Sequence, residues 1–189
     1  MKLEVVVTRL ILIIILLLFP RGSALAVDWK QVSHEEAKIV ASLDWFWVRP
    51  ENGGYSGAWN DKYSKFMQYA WWTDGRYPRL ELFLDRLAPG RYWKRVGKID
   101  KDVLTMWNHL RNASLGDLET VECNAQHCVR FTAEQVNCFA FRYLTGPYGN
   151  IDSGDDGTDI VTGYYCADWN DDAPIPLVDK IISSIELRE

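Results

Sequence analysis

The chain has 189 residues, a formal net charge of −5 and four cysteines. An acidic protein does not attract the phosphate backbone of nucleic acids or the surface of an anionic membrane, so we expect neither as a partner. No cofactor fingerprint is present, so we predict no cofactor.

The first 26 residues have the three parts of a secretory signal peptide. Lys2 and Arg9 supply positive charge, residues 10–19 are all apolar, and small residues at positions 23–26 form a cleavage site. An uncleaved membrane anchor is the alternative, but a membrane-spanning helix needs about 20 apolar residues, twice the length of this run. We therefore predict cleavage after Ala26.

The predicted mature chain, residues 27–189, has the length of a single domain. The signal peptide carries a net charge of +2, so its removal changes the net charge from −5 to −7. We expect a periplasmic or secreted domain with no membrane span.

The first half of this domain predicts a β-hairpin. Residues 66–72 are rich in aromatic side chains, and residues 79–84 alternate leucines facing the core with polar residues such as Glu81 facing solvent. Residues 50–61 contain several glycines and polar side chains, which predicts a loop. Residues 35–48 fit a helix or a strand.

A helix and a series of strands are predicted next. Asp100 is a candidate helix cap, and Val103, Trp107 and Leu110 follow at helical spacing. Strands are then predicted at residues 118–122, 129–133, 136–144 and 160–166, with a long polar loop before the last of them.

A closing helix completes the pattern. Pro176 suits its first turn, and its apolar stripe consists of Val178, Ile181, Ile182 and Ile185. Strands that follow one another through hairpins indicate an antiparallel sheet, and two or so helices are expected to cover it, so the predicted class is α+β. The ending, a Tyr-Tyr-Cys strand followed by a polar loop and an Ile-rich helix, resembles the end of the PsbP-like fold. That resemblance implies an α/β/α sandwich.

The four cysteines predict two disulfides, because an exported protein meets an oxidising compartment. We favour Cys123–Cys128, which brackets a polar hairpin loop, and Cys138–Cys166, which joins two predicted strands. A metal site formed by Cys123, His127 and Cys128 is the alternative. The usual zinc spacing is missing, so we predict no metal there.

Carboxylates suggest two further kinds of chemistry. The polar loop has four of them that could bind calcium, although their spacing departs from the EF-hand and a solvated loop is the favoured interpretation. They are Asp152, Asp155, Asp156 and Asp159. A cell-envelope polysaccharide hydrolase would use a pair of Asp or Glu residues, which the sequence does not identify.

The aromatic content is the most unusual feature, with nine Trp and nine Tyr. We expect Trp71 and Trp107 to lie in the core, whereas Tyr55, Trp59 and Trp169 fall in predicted loops. Exposed aromatic rings bind sugars and protein partners. The leading hypothesis is therefore a non-enzymatic exported domain that binds a ligand or an envelope protein through these three residues, and the alternative is the hydrolase.

Overall fold

The computed structural model describes residues 27–45, 47–146, 157–167 and 175–189. Within these ranges the elements follow one another in this order: β1 (Lys30–Gln31), β2 (Ile39–Ala41), a 3₁₀ turn (Pro50–Asn52), β3 (Gly54–Asn60), β4 (Lys65–Thr73), β5 (Arg79–Leu87), α1 (Lys101–Leu104), α2 (Asn108–Arg111), β6 (Glu119–Val121), β7 (His127–Ala133), β8 (Val136–Thr145), β9 (Asp159–Ala167), α3 (Ile175–Ser183) and β10 (Ile185–Leu187).

Eight of the strands form one antiparallel sheet in the order β1-β3-β4-β5-β9-β8-β7-β6. The strands β3, β4 and β5 form a meander, as do β6, β7 and β8, and β9 joins the two by pairing with both β5 and β8. Strands β2 and β10 form a separate antiparallel pair.

One face of the sheet, here called the core face, carries Leu80, Leu82 and Leu84, all completely buried. The antiparallel pair of β2 and β10 covers this face together with α3, which contributes Val178 and Ile181 to the same apolar cluster. The leucine alternation predicted for β5 is therefore confirmed.

The opposite face, here called the groove face, carries Glu81 and Phe83. The segment that contains α1 and α2 packs on part of it, with Leu104, Trp107 and Leu110 in one apolar cluster with residues of β7, β8 and β9. Both faces of the sheet are thus partly covered, and Glu81 is buried rather than facing solvent as the alternation suggested.

The predicted α+β class is wrong, and so is the α/β/α sandwich implied by the resemblance. The fold is β-rich, since α1 and α2 have four residues each and α3 has nine. The helices α1 and α2 pack on the groove face, whereas α3 packs on the core face. Asp100 does cap α1, since its carboxylate accepts a hydrogen bond from Val103 N at 2.9 Å. The predicted helix is interrupted: α1 ends at Leu104, and Trp107, which precedes α2, is extended with φ −83° and ψ 129°.

Strand β3 replaces the loop predicted for residues 50–61. Gly54 lies directly opposite Trp71, and Gly57 lies against the ring of Phe66. In β3 these glycines provide room for aromatic rings rather than for a turn, which explains why the sequence pattern was misleading. The other predicted strands are confirmed, since each overlaps β4, β5, β6, β7, β8 or β9.

Two disulfides are present, and they join the cysteines in the pairs favoured from the sequence. Cys138 and Cys166 are directly opposed in β8 and β9, with their Cα atoms 4.2 Å apart. Cys123 and Cys128, with Cα atoms 6.2 Å apart, close the connection between β6 and β7. No helix within the described residues is long and apolar enough to span a bilayer.

Candidate functional site: an aromatic groove above a buried glutamate

An open groove of about 390 Å³ lies on the groove face. Its floor and one wall come from β3, β4 and β5, and its other wall comes from the residues around α1 and α2. The lining residues are Trp29, Ser56, Tyr69, Trp71, Phe83, Met106, Trp107, Asn108 and Arg111.

The strand register explains why these side chains meet. Directly opposed residues of antiparallel strands point to the same face of a sheet. One row across the groove face is Gly54, Trp71, Glu81, Tyr164 and Ala140. The next row is Ser56, Tyr69, Phe83, Thr162 and Arg142. The aromatic groove is therefore a property of strand alignment and not of any single segment.

The aromatic rings form two groups within the groove. Tyr69 and Trp71 stack with ring centroids 5.1 Å apart and planes 27° from parallel. Trp29, which precedes β1, lies 6.1 Å from Phe83 at 56° and remains 41% exposed. Trp71 is only partly buried, so the expectation that it belongs to the core is wrong.

Trp107 forms part of the opposite wall and is held rigidly. Its ring makes an edge-on contact with Tyr164 at 4.9 Å, and it is 1% exposed, as expected for a core residue. Within the described chain its indole N–H has no hydrogen-bond partner. The nitrogen is itself buried, so this N–H is not exposed to a ligand in the groove.

Polar side chains lie at the rim. Asn108 and Arg111 are exposed residues of α2, and Arg111 Nε donates a hydrogen bond to Thr105 O at 3.1 Å. Among the described residues no acid forms an ion pair with Arg111. The groove therefore combines an aromatic floor with a positive charge at one side.

A buried carboxylate lies beneath the aromatic floor. Glu81 is completely buried, and it accepts hydrogen bonds from the Tyr69 hydroxyl and from Arg79 Nε. Burial raises the pKa of Glu81 to about 7, and the neighbouring Tyr164 hydroxyl acts in the opposite direction. The Tyr69 hydroxyl is thus directed at Glu81, while the Tyr69 ring lines the groove.

Only part of the predicted aromatic site exists. Tyr55 is 2% exposed, its hydroxyl donates a hydrogen bond to Pro50 O at 2.5 Å, and its ring packs edge-on against Trp72, so it cannot present itself to a ligand. Trp59 is 50% exposed, but it pairs with Phe66, and both residues lie at alternate positions to the groove residues of their strands. The side chain of Trp59 is therefore on the core face. Trp169 lies outside the described residues. The structure therefore does not bring Tyr55 and Trp59 together.

The cysteine–histidine metal site is not formed. All cysteines are in disulfides, so Cys123 and Cys128 have no thiolate to offer to an ion beside His127. No group of three or more His, Cys, Asp and Glu side chains suited to a metal occurs within the described ranges.

Asp159 is not available to calcium. It is 2% exposed, and Arg86 donates hydrogen bonds to both of its carboxylate oxygens at 2.8–3.1 Å. The other three members of the predicted calcium set, Asp152, Asp155 and Asp156, lie outside the described residues.

Most of the groove residues were not predictable from the sequence. Trp71 and Glu81 lie opposite each other only after β4 and β5 pair, and Trp29 and Arg111 reach the groove from distant parts of the chain. One usable signal was present, because Phe83 shares the predicted solvent side of β5 with Glu81, and an aromatic residue there indicates a second covered face.

Comparison with known proteins does not add to this picture. The chain matches no family model, no curated protein and no solved structure.

Proposed function

We propose that this chain is an exported, non-enzymatic domain that binds a small organic ligand in the aromatic groove. The observation that carries the proposal is the pair of aromatic groups, Tyr69 with Trp71 and Trp29 with Phe83, which line one open groove. Binding sites are typically concave and largely apolar, with a few polar groups that orient the ligand. The predicted signal peptide and the two disulfides support a periplasmic or secreted location.

The groove offers little support to the alternative of a polysaccharide hydrolase. Glu81 is buried beneath the rings, and Asp85, the next carboxylate on this face of β5, lies four residues further along the strand, about 13 Å away by strand rise. Asp85 also forms an ion pair with Lys65 at 2.5 Å. Glycoside hydrolases place their carboxylates about 5–9.5 Å apart. This pair does not meet that requirement.

The test uses N-phenyl-1-naphthylamine, an uncharged probe whose fluorescence rises in apolar sites. We expect saturable binding to the protein, weakened about tenfold by Trp29→Ala or Trp71→Leu, because each removes a large aromatic contact worth about 1.4 kcal/mol. Trp59→Ala is the matched control, since Trp59 is exposed, as Trp29 is, but lies outside the groove.

Circular dichroism and thermal unfolding establish that each variant is folded before the comparison. Absence of saturable binding, or an equal loss of affinity in Trp59→Ala, would contradict binding in the groove.

A further inference from the structure

We infer that the ligand is a small free zwitterion, with a quaternary ammonium group held against the aromatic rings and an anionic group at Arg111. The inference rests on the proposed binding function and names the ligand class of the same groove.

The aromatic faces of the groove favour an organic cation. Trp, Tyr and Phe rings attract organic cations through the negative potential of their faces, and quaternary ammonium groups are commonly bound by several such rings. The groove is lined by Trp29, Tyr69, Trp71 and Phe83, with Trp107 on the opposite wall. A quaternary ammonium group has no N–H to donate, so it needs ring faces rather than hydrogen-bond acceptors.

Glu81 strengthens this preference from below. The Tyr69 hydroxyl donates to the Glu81 carboxylate, which increases the electron density of the Tyr69 ring and uses the hydroxyl within the protein. Arg79 neutralises Glu81 by direct contact and lies outside the groove lining. The floor of the groove therefore presents electron-rich rings without an unpaired buried charge.

The rim of the groove favours an anionic group. The Arg111 guanidinium donates through Nε to Thr105 O and forms no ion pair with an acid in the described part of the chain. An exposed guanidinium without an acidic partner suits a carboxylate or phosphate group.

Only a ligand with both charges satisfies both features. A simple cation would be repelled by Arg111, and a simple anion would leave the aromatic faces without an electrostatic partner. A sugar needs hydrogen bonds around the edge of its ring, and this lining has more aromatic side chains than polar ones, which are Ser56, Asn108 and Arg111. The volume of about 390 Å³ is near the lower end of the range for small-molecule pockets, about 300–1,000 Å³, which fits a compact solute.

The experiment is isothermal titration calorimetry of the disulfide-bonded mature protein with four compounds. They are glycine betaine, phosphocholine, choline and the neutral carbon isostere of choline, in which carbon replaces nitrogen. We expect at least one of the two zwitterions to bind about tenfold more tightly than choline, and choline to bind more tightly than its isostere.

Variants separate the two halves of the site. Arg111→Gln should bring the affinity ratio between the preferred zwitterion and choline close to one, because the variant keeps a polar side chain without the charge. Trp71→Leu should weaken the binding of both compounds about tenfold. Trp59→Ala should change neither affinity nor ratio, since Trp59 is outside the groove.

The outcomes distinguish this inference from the proposed function. If the naphthylamine probe binds in the groove but neither zwitterion binds with higher affinity than the neutral isostere, the zwitterion inference is wrong and groove binding stands. If neither the probe nor any of the four compounds binds, the proposed function itself fails. If the protein co-sediments with phosphatidylcholine vesicles but does not bind the free compounds, the inference of a free solute is wrong and the ligand is a lipid headgroup.

Discussion

Gly54 lies directly opposite Trp71 in the pairing of β3 with β4, and the Trp71 indole ring occupies the space that a side chain at position 54 would require. The ring can therefore lie across the neighbouring strand and form part of the groove. Trp71 in turn stacks on Tyr69, so the missing side chain of Gly54 affects the position of both rings.

The substitution Gly54→Ala should therefore displace Trp71. We expect a loss of about 1–3 kcal/mol in the free energy of unfolding, as for other overpacked sites, together with weaker binding of the naphthylamine probe. Urea denaturation and probe titration measure the two effects. Gly97→Ala is the matched control, because a methyl group there would lie 3.6 Å from Arg142, an ordinary contact. Equal behaviour of the two variants would contradict this role for Gly54.

Glu81 predicts a pH dependence of stability. Burial raises the pKa of Glu81 from 4.5 to about 7, so between these values the folded state binds its proton more tightly than the unfolded state does. By linkage the free energy of unfolding should fall as pH rises from 4.5 to 7, by at most about 3 kcal/mol, and Glu81 should add no change above that range.

Denaturation at several pH values tests this expectation. Glu81→Gln should flatten the dependence, because glutamine keeps a hydrogen-bond acceptor but does not titrate. Glu119→Gln, at an exposed glutamate paired with Arg130, should keep the slope of the wild-type protein. Identical slopes for wild type and Glu81→Gln would show that Glu81 does not titrate in this range.

The ion pair of Arg86 with Asp159 should contribute strongly to stability. Asp159→Asn removes the charge that balances a partly buried guanidinium, and Arg86 also donates to Arg188 O, near β10. We expect a loss of about 3 kcal/mol in urea denaturation, because breaking a buried pair leaves an uncompensated charge. Asp44→Asn breaks an exposed pair with Lys180 and should cause no measurable change. An Asp159→Asn variant as stable as the wild-type protein would contradict the structural role given to this pair.

The two disulfides should differ in their contributions. Cys138–Cys166 spans 28 residues and Cys123–Cys128 spans five, so the loop-entropy model gives about 3.5 and about 2 kcal/mol respectively. We therefore expect the double alanine variant at 138 and 166 to unfold at a lower urea concentration than the one at 123 and 128. The reverse order would indicate that chain entropy does not dominate the difference.

Much of the strand content was determined by the local sequence. The alternation in β5 placed Leu80, Leu82 and Leu84 on one face, and the aromatic run of β4 predicted a strand, because a period of two records burial on one side of a sheet. Asp100 was recognisable as a cap, since its side chain bonds within its own helical turn. The favoured cysteine pairs followed from the order of the strands.

Tertiary structure alone decided the remainder. Gly54 and Gly57 suggested a loop, although in β3 they make room for rings on the neighbouring strand. Tyr55 looked exposed but is buried against Trp72, and Glu81 looked exposed but lies beneath Tyr69. The groove depends on the register of three strands and on the position of Trp29 and α2 above them. Periodicity reports which side of a strand is buried, whereas the identity of the partner is set by pairing between distant segments.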